Sequence, residues 1–258
     1  MKVWTFTIKT HRILGRLLSI LFLMWFVSGL VMMYHSYPKV DRNLDLMHAE
    51  SVDTISLVNH ATLDSIVRSS SCKIKNISLY RRGGMELFCL VTDMGKLLLD
   101  AGTGASVERL TEEQLQQVAN HWVAPLAKAA RREVLSEIDV WLIGAYPFKD
   151  YPVYHYDLPG EERAELYLSS RTGETLQYTT RASRFWAWVG AIPHWIYVKQ
   201  FRAQGRQPWT DIVLWLSGIG ILVTACGLII GVRVAWMAHR KGKGLSLYKR
   251  RMFRYHHL

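Results

Sequence analysis

The stretch ILGRLLSILFLMWFVSGLVMMY at residues 13–34 is a 22-residue run whose only charged side chain is that of Arg16. As an α-helix it is about 33 Å long, which is enough to cross the hydrocarbon core of a bilayer. A second run, IVLWLSGIGILVTACGLIIGVRVAWM at residues 212–237, has one charge at Arg233, near its end, where a long side chain can reach the head groups. The two runs predict two transmembrane helices in a multi-pass membrane protein.

The positive charge of the chain is concentrated beside these two runs. The 258 residues carry 32 Lys and Arg against 21 Asp and Glu, a net charge of +11. Residues 39–206 contain 20 residues of each sign, so the excess lies at the two ends of the chain. The positive-inside rule therefore predicts that both ends are cytoplasmic and that the intervening region is extracytoplasmic, in a periplasm if the host has two membranes. A neutral outer region also argues against a nucleic-acid partner.

The sequence after the first run has no small-residue cleavage site, since His35, Ser36, Tyr37 and Pro38 stand there. The first run is therefore predicted to be an uncleaved anchor and not a signal peptide. The predicted organisation is a cytoplasmic N-terminus (1–12), a first span (13–34), a periplasmic domain (35–184), an interfacial aromatic segment (185–211), a second span (212–237) and a cytoplasmic basic segment (238–258).

The outer region contains a weak internal repeat. Residues 97–107 (LLLDAGTGASV) align without gaps with residues 166–176 (LYLSSRTGETL), 69 residues later. In each copy an alternating apolar strand enters a Thr-Gly turn and leaves as a second strand, a pattern typical of an antiparallel hairpin. Residues 111–114 (TEEQ) then open a helix with a capping signature. We expect two related α+β units, each a small sheet with a helix; the alternative is a chance similarity of two hairpins.

The cysteines predict little covalent constraint. Residues 73–92 resemble a hairpin that turns at Arg82, Gly83 and Gly84, which places Cys89 opposite a residue near Ile77. Cys72 is then several residues away, so a disulfide with Cys89 requires a bulged or shifted pairing. Cys226, within the second run, is predicted to be a small packing residue.

Several of these segments resemble one known family. Residues 96–110, with LLLDAGTG followed by the LTEE of residues 110–113, resemble a PepSY domain. The THRILG of residues 10–15 leads into the WFVSG of residues 25–29 and resembles the first helix of the PepSY-associated transmembrane proteins. The PHW of residues 193–195, before the second span, is similar to the family's second membrane element. The implied fold is membrane α+β, with at least two transmembrane helices flanking an extracytoplasmic PepSY-like domain.

The end of the chain departs from that family. Its members usually have four or more spans, and the YKRRMFRYHHL of residues 248–258 resembles the entry to a third helix. The resemblance therefore implies further spans beyond this sequence, lost spans, or spans supplied by another polypeptide.

The candidate cofactor ligands are histidines near the two membrane faces. His11 precedes the first span and His35 follows it, His194 precedes the second span, and His239, His256 and His257 follow it. Imidazole binds haem iron axially, and haem b needs no CxxCH attachment motif. One or two haems are expected, with His35 and His194 at the outer face and His11 with His239, His256 or His257 at the inner face. His11, His194 and one of the last pair match family positions, and some ligands could lie on further helices. The alternative is that these histidines hydrogen-bond to water and lipid head groups.

Two other patterns have a structural explanation as well as a functional one. Gly220, Thr224, Gly227 and Gly231 form a small-residue stripe that permits close approach of a helix or of a flat macrocycle, and helix packing is favoured. In a Tyr/Pro-rich segment expected to form a loop, Asp150, His155 and Asp157 are close together. We interpret that triplet as a solvated surface.

The resemblance implies a bacterial inner-membrane oxidoreductase that passes electrons through haem to a ferric siderophore or other ferric chelate at the periplasmic face, for iron acquisition. No hydrolytic, P-loop or dinucleotide motif is present in the sequence, and neither the electron donor nor any catalytic residue is identified. The alternative is a haem-free, membrane-anchored PepSY module that binds or regulates a periplasmic peptidase or another partner.

Overall fold

The computed structural model describes residues 2–52, 64, 68, 73–143, 151–160, 162–203 and 207–243. The helices are α1 (Lys2–Met32), α2 (Arg42–Met47), α3 (Glu112–Asn120), α4 (Arg181–Val189), α5 (Ala191–Trp195), α6 (Lys199–Ala203) and α7 (Gln207–Arg240), with a 3-10 turn at Val140–Leu142. The strands are β1 (Ile74–Arg82), β2 (Met85–Thr92), β3 (Gly95–Asp100), β4 (Ala130–Leu135), β5 (Val153–Asp157), β6 (Glu165–Ser169) and β7 (Thr175–Thr179). They form two antiparallel sheets, β1-β2-β3 and β4-β5-β6-β7.

Helices α1 and α7 are both long and apolar enough to cross a membrane. They pack antiparallel, because the Arg233 guanidinium lies 4.0 Å from the Trp4 ring centroid at one end and Phe22 approaches Gly220 further along. Both helices extend beyond the predicted spans; α1 begins at Lys2 because no Pro or Gly in residues 2–12 interrupts it. About half of their apolar side chains are exposed in the isolated chain and only a few are buried, as expected of lipid-facing surfaces.

The first sheet begins with the predicted hairpin. Gly83 and Gly84 connect β1 to β2, both with positive φ angles, of 59° and 75°. Only glycine adopts this conformation at little cost, and a Cβ at Gly83 would also lie 2.6 Å from the Gln114 Cβ of α3. Cys89 lies opposite Ser78, next to Ile77, as the hairpin predicts. Cys89 is a buried free thiol and Cys226 a half-buried one, whereas Cys72 lies outside the described residues.

The second sheet is covered on both faces. One face packs against α3 through Leu115, Val118 and Trp122. The other face contributes Val153 and Tyr167 to a second core cluster, formed with α4, α5 and the 3-10 turn. The central strand β6 is buried along its whole length. The helix that follows the first sheet thus packs on the second sheet, and the first sheet has a separate hydrophobic cluster of its own.

The predicted repeat is confirmed in the turns that follow β3 and β6. In the first turn the Asp100 amide donates to the Ala105 carbonyl, and the Gly104 amide donates to the Asp100 carbonyl. The same two hydrogen bonds occur 69 residues later, where the Ser169 amide donates to the Glu174 carbonyl and the Gly173 amide donates to the Ser169 carbonyl. The side chains correspond as well, because the residue that begins each turn accepts the amide hydrogens of the second and third residues after it.

The repeat continues into the helices. Helix α4 lies 69 residues after α3 and has the same length of nine residues. Each helix begins at a threonine N-cap, Thr111 or Thr180, with a complete capping box. The two sheets are less alike, since the first has three strands and the second has four.

The interfacial segment is divided into short helices, with one break at Gly190, and Pro193 lies inside α5. Proline is tolerated in the first turn of a helix, where its missing N–H has no helical partner. The expectation of a loop in the Tyr/Pro-rich segment is wrong at His155 and Asp157, because both residues belong to β5. Asp150 lies outside the described residues.

Candidate functional site

The structure places His194 in contact with the C-terminal half of α1. Its Nδ1 lies 3.2 Å from the Trp25 carbonyl oxygen and 3.1 Å from the Ser28 hydroxyl. Gly29 makes room for the ring, since a Cβ there would lie 3.1 Å from the His194 Cε1. The short helix α5 thereby presents an imidazole to the Ser28 hydroxyl and the Trp25 carbonyl of α1.

His11 makes the equivalent contact at the other end of the helix pair. Its Nδ1 lies 3.0 Å from the Val223 carbonyl oxygen of α7. Gly227, one turn further along, receives the ring, and a Cβ there would lie 2.8 Å from the His11 Cε1. Gly227 therefore belongs to a packing surface against α1, as does Gly220, which faces Phe22.

The two carbonyl contacts favour the same tautomer in both rings. A carbonyl oxygen only accepts hydrogen bonds, so these contacts favour a proton on Nδ1 of His11 and of His194. In a neutral imidazole the lone pair then belongs to Nε2, the nitrogen that can bind a metal. A backbone carbonyl on Nδ1 is the usual second-shell support of a ligating histidine.

The predicted outer pair, His35 and His194, lies at different positions along the axis of α1. His35 stacks on Trp186, with ring centroids 4.0 Å apart and an interplanar angle of 4°. Four residues after Trp186, Gly190 packs against Val31, and four residues later His194 reaches Gly29. The α4–α5 segment thus runs along α1 and separates the two histidines by about two helical turns.

The two described histidines of the predicted inner site, His11 and His239, also lie far apart. His239 lies twelve residues beyond Gly227, which contacts His11, so the two histidines are about 18 Å apart along α7. Two axial nitrogens on one iron must lie about 4 Å apart, since metal–imidazole bonds are about 2 Å long. The structure does not bring His11 and His239 together, and His256 and His257 lie outside the described residues.

The two-sheet domain contains a polar cluster that the sequence did not indicate as a site. His155, Asp157 and Glu165 lie on one face of the second sheet, with possible ligand atoms within 4.8 Å of one another. His155 is 3 % exposed and its ring stacks on Tyr167 at 4.2 Å. The available signal was the alternation His155–Asp157 on one strand and Glu165–Tyr167 on the next, which places all four side chains on the same face.

The charges of this cluster are balanced by arginines. Arg132 contacts Asp157 at 2.9 Å and Glu165 at 3.1 Å, and Arg184 lies 3.5 Å from Glu165. Burial raises the pKa of Glu165, but the neighbouring His155 ring and the two arginines outweigh it and hold that pKa below its ordinary value. Burial raises the pKa of Tyr167, so its hydroxyl stays protonated and donates to Glu165.

Comparison of the chain with family models, with curated proteins and with solved structures finds no match. The PepSY-type resemblance therefore remains a prediction.

Proposed function

We propose that the protein is a bacterial inner-membrane electron-transfer protein of the PepSY-associated transmembrane type, which uses haem b to reduce ferric siderophores or other ferric chelates at the periplasmic face. The observation that carries the proposal is the contact shared by His11 and His194, whose Nδ1 atoms both lie beside backbone carbonyl oxygens at opposite ends of the helix pair. This arrangement favours one metal-binding Nε2 near each membrane face.

The proposed topology follows from the antiparallel packing of α1 and α7. Their outer ends lead into the two-sheet domain, and their other ends carry the basic flanks of the chain. In the proposed topology both termini are cytoplasmic and the two-sheet domain, with the PepSY-like repeat, is periplasmic.

The described histidines fit single axial positions and not a complete bis-histidine site. His11 and His194 would each supply one Nε2, with the helix carbonyl on Nδ1 fixing the ring and increasing its basicity. We propose that the second ligands come from His256, His257 or histidines on further helices, and that His35 and His239 are less suited. A bound haem supplies one-electron chemistry, and reduction of the chelated iron weakens its hold on hard oxygen donors.

The test is a reduced-minus-oxidised absorbance spectrum with a pyridine haemochrome count, on the chain purified from haem-replete membranes and on the longest protein that its gene encodes. We expect a b-type spectrum, with more haem in any longer form. His11→Ala and His194→Ala should each lower the haem-to-protein ratio while membrane insertion is retained. The control is His121→Ala, an exposed histidine of the outer domain. Unchanged haem content in both test variants would reject the ligand assignment.

A second candidate function is a haem-free anchored module whose outer domain binds or regulates a periplasmic peptidase or another partner. The separation of His35 from His194, and of His11 from His239, favours it, because no two of these described histidines meet at one iron position. In that case the His11 and His194 contacts are helix-packing hydrogen bonds. Absence of a Soret band in both protein forms would support this candidate and overturn the first.

A further inference from the structure

The imidazole of His155 is buried with one nitrogen satisfied and the other not. Its Nδ1 lies 3.2 Å from Glu133 Oε1 on the neighbouring strand β4. Its Nε2 has no hydrogen-bond partner among the described residues, although Glu165 Oε2 lies 3.5 Å away. A buried polar atom that faces a carboxylate without a hydrogen bond is costly, so this position requires a cation or a proton.

The geometry suits a metal ion. An ionised carboxylate only accepts hydrogen bonds, so the contact with Glu133 places a proton on Nδ1 and, in the neutral ring, the lone pair on Nε2. In a tetrahedral site with bonds of about 2.1 Å, neighbouring ligand atoms lie about 3.4 Å apart. The separation of 3.5 Å between His155 Nε2 and Glu165 Oε2 is close to that value. Asp157, two residues after His155 on the same face, offers a third ligand within 4.8 Å.

We propose that His155 Nε2, Asp157 and Glu165 bind a divalent first-row transition-metal ion of the Zn²⁺ class, with Glu133 orienting the imidazole. One imidazole and two carboxylates form a ligand set that such ions accept. Glu133 completes a carboxylate–histidine–metal arrangement, in which the outer carboxylate holds the ring tautomer. The site lies on the sheet face that α4 covers, apart from the histidines of the membrane helices.

Arg132 occupies the position beside the site that a metal ion would neutralise. Its Nε contacts Asp157 Oδ2 and its Nη1 contacts Glu165 Oε1, so it supplies the positive charge that a metal ion would replace. The Arg132 side chain is 47 % exposed and can move into water; its exposed pair with Asp157 contributes little stability, and the metal charge would replace its own beside the buried Glu165. Arg184, on α4, can remain beside Glu165 Oε1 and leave Oε2 to the metal. Removal of the Arg132 charge is therefore expected to strengthen metal binding.

The proposal is tested by isothermal titration calorimetry, with ZnCl₂ added to the full chain in detergent after bound metal has been removed. Elemental analysis of the titrated protein then gives its metal content. We expect one Zn²⁺ site that depends on His155. Glu133→Gln, which weakens the orienting contact, should lower the affinity about tenfold, and His155→Ala should lower it more. Arg132→Gln should raise the affinity. The matched control is Arg131→Gln, because the neighbouring Arg131 pairs with Glu112 outside the site.

The overturning results are specific. Absence of a Zn²⁺ site in the unmodified chain would reject the proposal and leave a proton as the partner of His155. Binding that is unchanged in His155→Ala would assign the metal to other histidines and would reject it equally. If His155→Ala fails to fold by circular dichroism, Asp157→Asn replaces it, since Asp157 is only half-buried and the substitution preserves side-chain shape. Zn²⁺ affinity unchanged in Asp157→Asn would then reject the ligand set.

Discussion

The two turns related by the repeat, residues 100–104 and 169–173, make the same hydrogen bonds in different surroundings. The first turn is partly exposed: Asp100, which begins it, is half-buried, and Gly102 and Thr103 are exposed. The second is largely buried, and Ser169, which is fully buried, begins it. The charged Asp100 thus stands where water reaches the side chain, and the neutral Ser169 stands where it does not. This difference is expected because burying a charged group costs much free energy.

The second turn is buried because it joins the two units. The Ser170 carbonyl accepts a hydrogen bond from the Leu110 amide, just before α3. The Gly173 carbonyl accepts one from Arg82, at the end of β1. Arg171 donates to the Lys96 carbonyl on β3. One local motif therefore serves as a surface turn in the first unit and as an inter-unit contact in the second.

The largest difference between the turns is expected when the first side chain is truncated. Ser169→Ala should lower the free energy of unfolding by about 3 kcal/mol, because two amide hydrogens lose their acceptor where water cannot replace it. Asp100→Ala should cost about 1 kcal/mol, since water reaches its partners. Urea unfolding of each full-length variant in detergent measures both values. Equal losses would show that burial does not distinguish the turns.

The glycines that close the turns provide a second matched pair. Gly104 and Gly173 have positive φ angles of 74° and 63°, so alanine at either position should cost about 1 kcal/mol in backbone strain. At Gly173 the new Cβ would also lie 3.3 Å from the Arg82 Cδ and 3.5 Å from the Leu110 Cδ1. We expect Gly173→Ala to cost about 2 kcal/mol in total, measured by the same urea titration. A larger loss for Gly104→Ala would contradict the assigned packing.

The two helix N-caps are expected to contribute equally to the free energy of unfolding. Thr111→Ala and Thr180→Ala each remove the side-chain acceptor of a capping box, and each should cost about 1 kcal/mol. Thr→Val at the same positions is the control, because it removes the hydroxyl but nearly preserves side-chain volume. Unfolding free energies that differ severalfold between the two helices would mean that packing, and not the local sequence, determines cap strength.

The features predicted correctly from the sequence are local ones. The apolar runs predicted α1 and α7, the glycine pair predicted the β1–β2 turn, and Thr111 predicted the start of α3. Each depends on residues close together in the chain. The bounds of α1 were predicted less well, because its first residues mix polar and apolar side chains and still form helix.

The candidate sites depend on contacts between distant residues. His155 meets Glu133 and Glu165 only through the register of three strands, which no single segment contains. The predicted histidine pairs were based on membrane depth, which gives the level of a side chain but not the direction of its contacts. The structure shows His11 and His194 turned towards Val223 and Trp25 of the neighbouring helices.

The smallest expected effect concerns the ion pair between the second turn and the first sheet. Lys96 and Glu174 lie 2.6 Å apart and are 43 % and 31 % exposed, so their coupling should be about 0.5 kcal/mol. A double-mutant cycle with Lys96→Ala and Glu174→Ala measures it, and about 1 M salt should abolish it because the Debye length falls to about 3 Å. The control is the more exposed pair of Glu112 and Arg131, which also links the two units and should couple no more strongly. A coupling of several kcal/mol would mean that charge, and not the buried hydrogen bonds of the second turn, holds the units together.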